Sequence, residues 1–226
     1  GSVYSSVGGS NEIMLSAVFT DETGIGPSNG GQEIDLHRFN LNQSTGYVAS
    51  LWGNHYTVIN RVNRLLRAAE GITPDPNVCI GEIEGVDADG NDICILSERD
   101  AYFSIIAQAR ALRAYSYMQL SVYFSTDMSD EEALGVILID YVPATDEKLP
   151  RVKNKLIFDL IEEDLAFAKD NLGDTAVLFE YQTDYKMTNA NMINAIYARY
   201  NLYRKKFDLA KYYANLVINN SGITLA

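Results

Sequence analysis

Beyond residue 46 apolar side chains recur at helical spacing, and before it they hardly recur at all. In "YVASLWGNHYTVINRVNRLLRAAE", residues 47–70, the stripe is Leu51, Trp52, Tyr56, Ile59, Val62, Leu66 and Ala69. That spacing predicts an amphipathic helix, which Gly71 and the following "TPDP" terminate. Residues 154–171, "NKLIFDLIEEDLAFAKDN", predict a second, capped by Asn154 and ended near Gly173. Residues 188–204 and 207–219 predict a helical hairpin, with Thr188 as cap and "RKKFD" as the turn. Small Ala198 and Ala210 would let its two helices approach closely.

The longest pattern is different. Ser97 caps a predicted helix running to about Phe124, and within it "ARALRAYSYMQLSVYF" is apolar on nearly every side. Ala109, Leu112, Ser116 and Leu120 form one close-packing stripe, and Ala111, Ala114, Met118 and Val122 form another. A helix with two such stripes needs neighbours on both flanks, as in a stacked array. Arg110 and Arg113 then fall between helices and require carboxylate or carbonyl partners, Asp164 among them, because an unpaired buried charge is costly.

The remaining segments are irregular. Residues 1–46 are loop-rich, with a short helix expected over 11–19. The alternation around Asp89-Gly90 predicts a β-hairpin insertion over residues 79–98. Residues 126–153 read as loop with one short extended piece, "GVILIDYV". The expected fold is therefore all-α: stacked antiparallel helical hairpins of tetratricopeptide-like type, with a small hairpin insertion, over residues 1–226 as one domain.

Charge narrows the function. The net charge is −12 and there is no Lys/Arg block, which argues against nucleic acid and against anionic lipid surfaces. No apolar run reaches the roughly 18 residues of a membrane span. Gly1-Ser2 reads as a cloning remnant, so a targeting segment is expected upstream. Only two histidines occur, His37 and His55, neither beside a nucleophile, and no phosphate-binding glycine motif is present. Glu162, Glu163 and Asp164 are consecutive and point in different directions on a helix. No catalytic constellation emerges, and an enzyme is not expected.

Several residues could carry binding chemistry. Fifteen tyrosines offer flat faces with a hydroxyl, suited to helix packing and to sugar rings alike. Trp52, beside Asn54 and His55, is either a sugar platform or a packing anchor. Asp21, Glu22 and Arg38 lie in the loop-rich segment, where binding residues concentrate and where solvated charges are also ordinary. Asp87, Asp89, Asn91 and Glu98 match positions of a calcium loop, although Asp92 stands where its sharp turn needs Gly. The alternative is an acidic hairpin turn, and no cofactor other than calcium is in view. Cys79 and Cys94 flank that turn and are candidates for a disulfide.

The order of segments resembles a known family. "WGNHYTVINRVNRLL" is similar to the W-x3-Y-x2-I-x3-N-x-L segment of SusD/RagB proteins, the outer-surface nutrient-binding lipoproteins of Bacteroidetes. "AQARALRAYSYMQLSVYF" resembles that family's A-x-x-L-R-A-x-x-Y helix. "GVILIDYV" with "LPRVKNKLIFDLIEEDLAFAKDNL", and the helical pair after "YKMTNANM", resemble its next two segments. Ile137 departs from the pattern's usual Pro, and Phe124 is not followed by the usual Gly. The resemblance implies a helical scaffold, lipid-anchored at the outer-membrane surface, that captures oligosaccharide or another nutrient for a TonB-dependent SusC-like transporter. It implies no bond chemistry, and typical members continue for about as long again. The competing reading is a soluble tetratricopeptide-like scaffold that binds a peptide or partner protein.

Overall fold

The computed structural model describes residues 16–20, 23–28, 30–81, 83–90, 92–172 and 188–220. Residues 16–19 are helical, and the earlier part of the helix expected over 11–19 lies outside the described residues. The elements that follow are α1 (Ile34–His37), α2 (Gly46–Ala69), β1 (Ile83–Val86), β2 (Asp92–Cys94), α3 (Glu98–Phe124), β3 (Leu134–Ile137), β4 (Arg151–Lys153), α4 (Asn154–Asn171), α5 (Ala190–Tyr203) and α6 (Phe207–Asn220). The protein is all-α, with two small two-stranded sheets, β1–β2 and β3–β4. Among the described residues no helix is long and apolar enough to cross a membrane.

Helix α3 is the centre of the stack, packed against α2 on one side and α4 on the other. Both of its small-residue stripes are interior: Ala109, Leu112, Ser116 and Leu120 are buried, as are Ala111, Ala114 and Met118. Ser97 begins it, its hydroxyl accepting from the Asp100 amide at 3.1 Å. Helix α4 contributes Ile157, Phe158, Ile161, Leu165 and Ala168 to the main core. Helices α5 and α6 form the antiparallel pair, with Tyr197 and Tyr213 stacked at 4.6 Å. Their turn is a Schellman cap: the Lys205 amide donates to the Leu202 carbonyl and the Lys206 amide to that of Asn201. Lys205 takes the left-handed conformation (φ 60°) that glycine usually supplies there.

The charges between helices are paired. Arg113 is 4% exposed, and its Nε and Nη2 donate to the two Asp164 oxygens at 2.7 and 2.8 Å. Its Nη1 donates to Asn63 Oδ1 at 2.8 Å, so three helices meet at one guanidinium. Burial raises the Asp164 carboxyl, and Arg113 opposes that shift through its hydrogen bonds and charge. Arg110 sits nearer solvent, 3.2 Å from Glu163 and over the Phe167 ring.

Two predicted caps are corrected. Asn154 is the first residue of α4, and Lys153 occupies the cap position with no side-chain bond. The Asn154 amide instead donates to the Asp127 and Asp130 carbonyls, while its oxygen accepts from the Ser125 hydroxyl. It ties down the 125–130 loop, and Gly135 must lack a side chain because a Cβ there would lie 2.7 Å from Asn154 Oδ1. At α5 the cap is Asn189, accepting from the Met192 amide at 2.9 Å, and Thr188 lies one residue outside.

The segment expected to be loop with an extended piece pairs as β3–β4 and runs on along the helices. There side chains replace a neighbouring strand. The Tyr56 hydroxyl donates to the Ile137 carbonyl and accepts from the Ile137 amide. Tyr117 does the same with Ile139, and Asn63 Nδ2 donates to the Ile139 and Tyr141 carbonyls.

Candidate functional site

Helix α2 carries two concavities on opposite faces. At 100° per residue, Tyr47, Ser50 and Asn54 fall on one side of the helix, and Trp52, Tyr56 and Asn60 on the other. Trp52 and Asn54 are adjacent candidates in the sequence and do not share a face.

On the Trp52 side, a concavity of about 220 Å³ is lined by Trp52, Tyr56, Asn60, Ile137, Ile139 and Pro143. Trp52 is half-buried, 4.8 Å from the Tyr56 ring and edge-on to Phe124 at 4.9 Å. It therefore packs and lines a surface at once. The Tyr56 hydroxyl already donates and accepts at Ile137, and burial raises its pKa, so it offers an incoming ligand a ring face. This side supplies stacking area.

On the other side, a concavity of about 440 Å³ opens where α1 meets the start of α2, lined by Glu33, Asp35, Thr45, Tyr47 and Ser50 among others. Thr45 holds the cap position of α2 with no side-chain cap bond, because its hydroxyl accepts from the Asn42 amide at 2.9 Å. Glu33 adopts a left-handed conformation (φ 59°) and bonds the Tyr47 hydroxyl through one carboxylate oxygen. That bond raises the Tyr47 pKa and keeps the phenol protonated. Its other oxygen is covered and has no hydrogen-bond partner among the described residues. Uncapped helix amides donate and carboxylates accept, so the wall offers both halves of the hydrogen bonding that a hydroxyl needs. Sequence pattern missed this site, since Glu33 and Tyr47 are brought together by a one-turn helix and the loop after it, neither of which has a periodic signal.

The other candidates are dispersed. Arg38 is exposed just after α1 and lines neither concavity. Asp21, Glu22 and Asn91 lie outside the described residues. Asp87 Oδ1 accepts from the Asp89 amide at 2.9 Å, a tight turn closed onto itself. Glu98 Oε2 accepts from the Asp75 amide, engaging the preceding turn. Among the described residues no group of three His, Cys, Asp or Glu could hold a metal ion. Cys79 and Cys94 are joined by a disulfide with Cα atoms 5.7 Å apart. His55 is buried and His37 is exposed.

No family model and no curated protein matches the sequence. Solved structures do match it. A SusD superfamily protein from Bacteroides fragilis superposes over 100% of this chain with TM-score 0.74 at 19% identity. One from Bacteroides thetaiotaomicron does so over 100% with TM-score 0.73 at 18% identity. The chain has a SusD-like fold. A laminarin-binding SusD-like protein also matches, over 92% of this chain and 42% of its own, with TM-score 0.60 and 18% identity. The chain spans 48% and 46% of the two Bacteroides proteins, so it corresponds to under half of each SusD-like relative.

Proposed function

We propose that this SusD-like chain belongs to a non-enzymatic binding protein for neutral glycans. The observation that carries the reading is the SusD-like fold, which a laminarin-binding protein shares. The chemistry on α2 supports the neutral class. Carboxylates at Glu33 and Asp35 accept from sugar hydroxyls and repel uronic acids or sulfated sugars, as does the net charge of −12. Trp52, on the opposite side, adds a flat face for a second stretch of polymer. Asn54, exposed one turn beyond Ser50, extends the polar side.

In the whole protein the same reading includes a lipid anchor at the cell surface and hand-over to a SusC-like TonB-dependent transporter. Titration calorimetry with neutral β-glucan oligosaccharides and with oligogalacturonate tests the ligand class. Heat with the neutral series, lost in Asp35→Ala and retained in Arg38→Ala, is the expected result. Binding of the acidic series alone would overturn it. Surface labelling of intact cells expressing the native gene tests location. Strictly cytoplasmic protein with no co-purifying TonB-dependent receptor would favour the peptide-binding scaffold instead.

A further inference from the structure

The β1–β2 ribbon is built unlike the rest of the molecule. Its strands pack mainly on each other and not on the helices. In its ladder Ile83 lies opposite Cys94, Gly85 opposite Ile93 and Val86 opposite Asp92. Along β2 Cys94 and Asp92 share one face and Ile93 takes the other; a bulge in β1 between Ile83 and Gly85 keeps Ile83 and Val86, their partners, together on one face, opposite to Ile93. All three are open to solvent, at 53%, 63% and 43% exposure, and Ile80 and Ile95 beside them are exposed as well. A two-stranded ribbon with apolar side chains on both faces has no core of its own.

The ribbon is nonetheless fixed to the body. The Cys79–Cys94 disulfide closes its stem. The Ile80 and Gly81 amides donate to the Leu96 carbonyl, and the Glu98 amide to that of Val78. Gly81 meets Leu96 so closely that a Cβ there would lie 2.9 Å from Leu96 Cβ. Among the described residues the structure therefore holds an apolar blade clear of the helix stack, rooted beside the first turn of α3.

Charge says what it fits. Residues 70–98 contain eight acids and no Lys or Arg, so this one stretch holds −8 of the net −12. A second copy of the chain would bring like charge against like, and an anionic bilayer is repelled in the same way. A blade apolar on both faces suits a cleft with two walls better than a flat surface. We propose that the Cys79–Cys94 ribbon is a docking plug for a partner protein, entering a cleft that combines apolar walls with Lys or Arg side chains. Ile83, Val86 and Ile93 supply the apolar contact, and Glu84 and Asp92 pair with the Lys or Arg side chains of the cleft. The inference holds whether or not the chain binds glycan.

The test places a photo-crosslinking amino acid at Val86 of the full natural protein, in the cells that make it, with Lys211 on α6 as the control position. One protein joined at Val86 and absent at Lys211 is expected. With that protein purified, Ile83→Ser with Ile93→Ser should weaken binding about tenfold or more. Glu84→Lys with Asp92→Lys should weaken it similarly and flatten its salt dependence. Both variants should melt like the parent. No crosslink at Val86, or crosslinking within the same protein, to a second copy, to lipid alone or equally at both positions, overturns the proposal, as does affinity indifferent to both pairs of substitutions. Glycan titrations on the same variants should be unchanged. Failure of the parent to bind glycan, with the crosslink retained, counts against the glycan reading and leaves the plug standing.

Discussion

Ile161 and Ile83 are the same side chain with opposite fates. Ile161 on α4 is fully buried, packed between helices whose own apolar faces meet it. Ile83 on the ribbon is more than half exposed, with another short strand beside it and no helix face over it among the described residues. The helix stack is held by burial, in which each element covers its neighbour's apolar face and each interior charge has a partner. The ribbon is held by a covalent bond and a few backbone hydrogen bonds at its stem. Hydrophobicity alone did not decide which residues went inside; the availability of a covering surface did.

That contrast can be broken from the stack's side first. Burial raises Tyr56 and Tyr117 above the ordinary tyrosine value, so the folded state holds their protons more tightly than the unfolded chain. Their contribution is fully present below about pH 10 and is lost as pH rises above that. Helical circular dichroism should collapse in that alkaline range together with the appearance of tyrosinate absorbance. Complete tyrosine ionisation with the helical signal intact would contradict it. Next in size, Arg113→Ala leaves Asp164 buried and uncompensated, and should lower unfolding stability by about 3–5 kcal/mol in denaturant titration. A loss under about 0.5 kcal/mol, typical of solvated pairs, would show that the guanidinium is dispensable.

The ribbon should answer on a smaller scale. Replacing both Cys79 and Cys94 by Ser releases a short loop, for which chain entropy gives at most about 3 kcal/mol. Hydrogen exchange should speed up in residues 78–96 while the amides of α3 and α4 keep their protection. Loss of protection throughout the stack would mean the two regions are coupled. Smallest of all, Ile83→Ser should change global stability by no more than about 0.5 kcal/mol, as for an exposed site. A drop of 2 kcal/mol or more, roughly that of a core truncation, would place Ile83 inside the cooperative unit.

The stack was readable from sequence because its signals are local and redundant. Two small-residue stripes on one helix demand two neighbours, and an arginine between them demands an acid, which Asp164 supplies. What resisted reading depended on distant or ambiguous groups. Strand β4 is three residues long, too short to alternate visibly. Asn154 stands where an asparagine ordinarily caps, and only the three-dimensional position of the 125–130 loop diverts both ends of its amide. Trp52 and Asn54 looked like one site because they are neighbours in the chain, yet two residues of helix turn them through about 200°. The concavity at the start of α2 has no periodic signature, since its walls come from α1, a loop and a helix terminus.

The handling of residues 137–141 bears on how much of a protein's wiring a single atom can hold. One phenol oxygen serves both backbone groups of Ile137, a second serves both of Ile139, and one amide nitrogen spans Ile139 and Tyr141. Alternate residues are gripped, so the segment runs straight as though it lay in a sheet, with two helices standing in for the missing strand. Through Asn63 the grip reaches Arg113, and through Arg113 it reaches Asp164. A slip of the segment by one residue would unhook every one of these contacts at once. Its alignment is thus a yes-or-no property, fixed by side chains that lie about 20 to 80 residues away in the sequence.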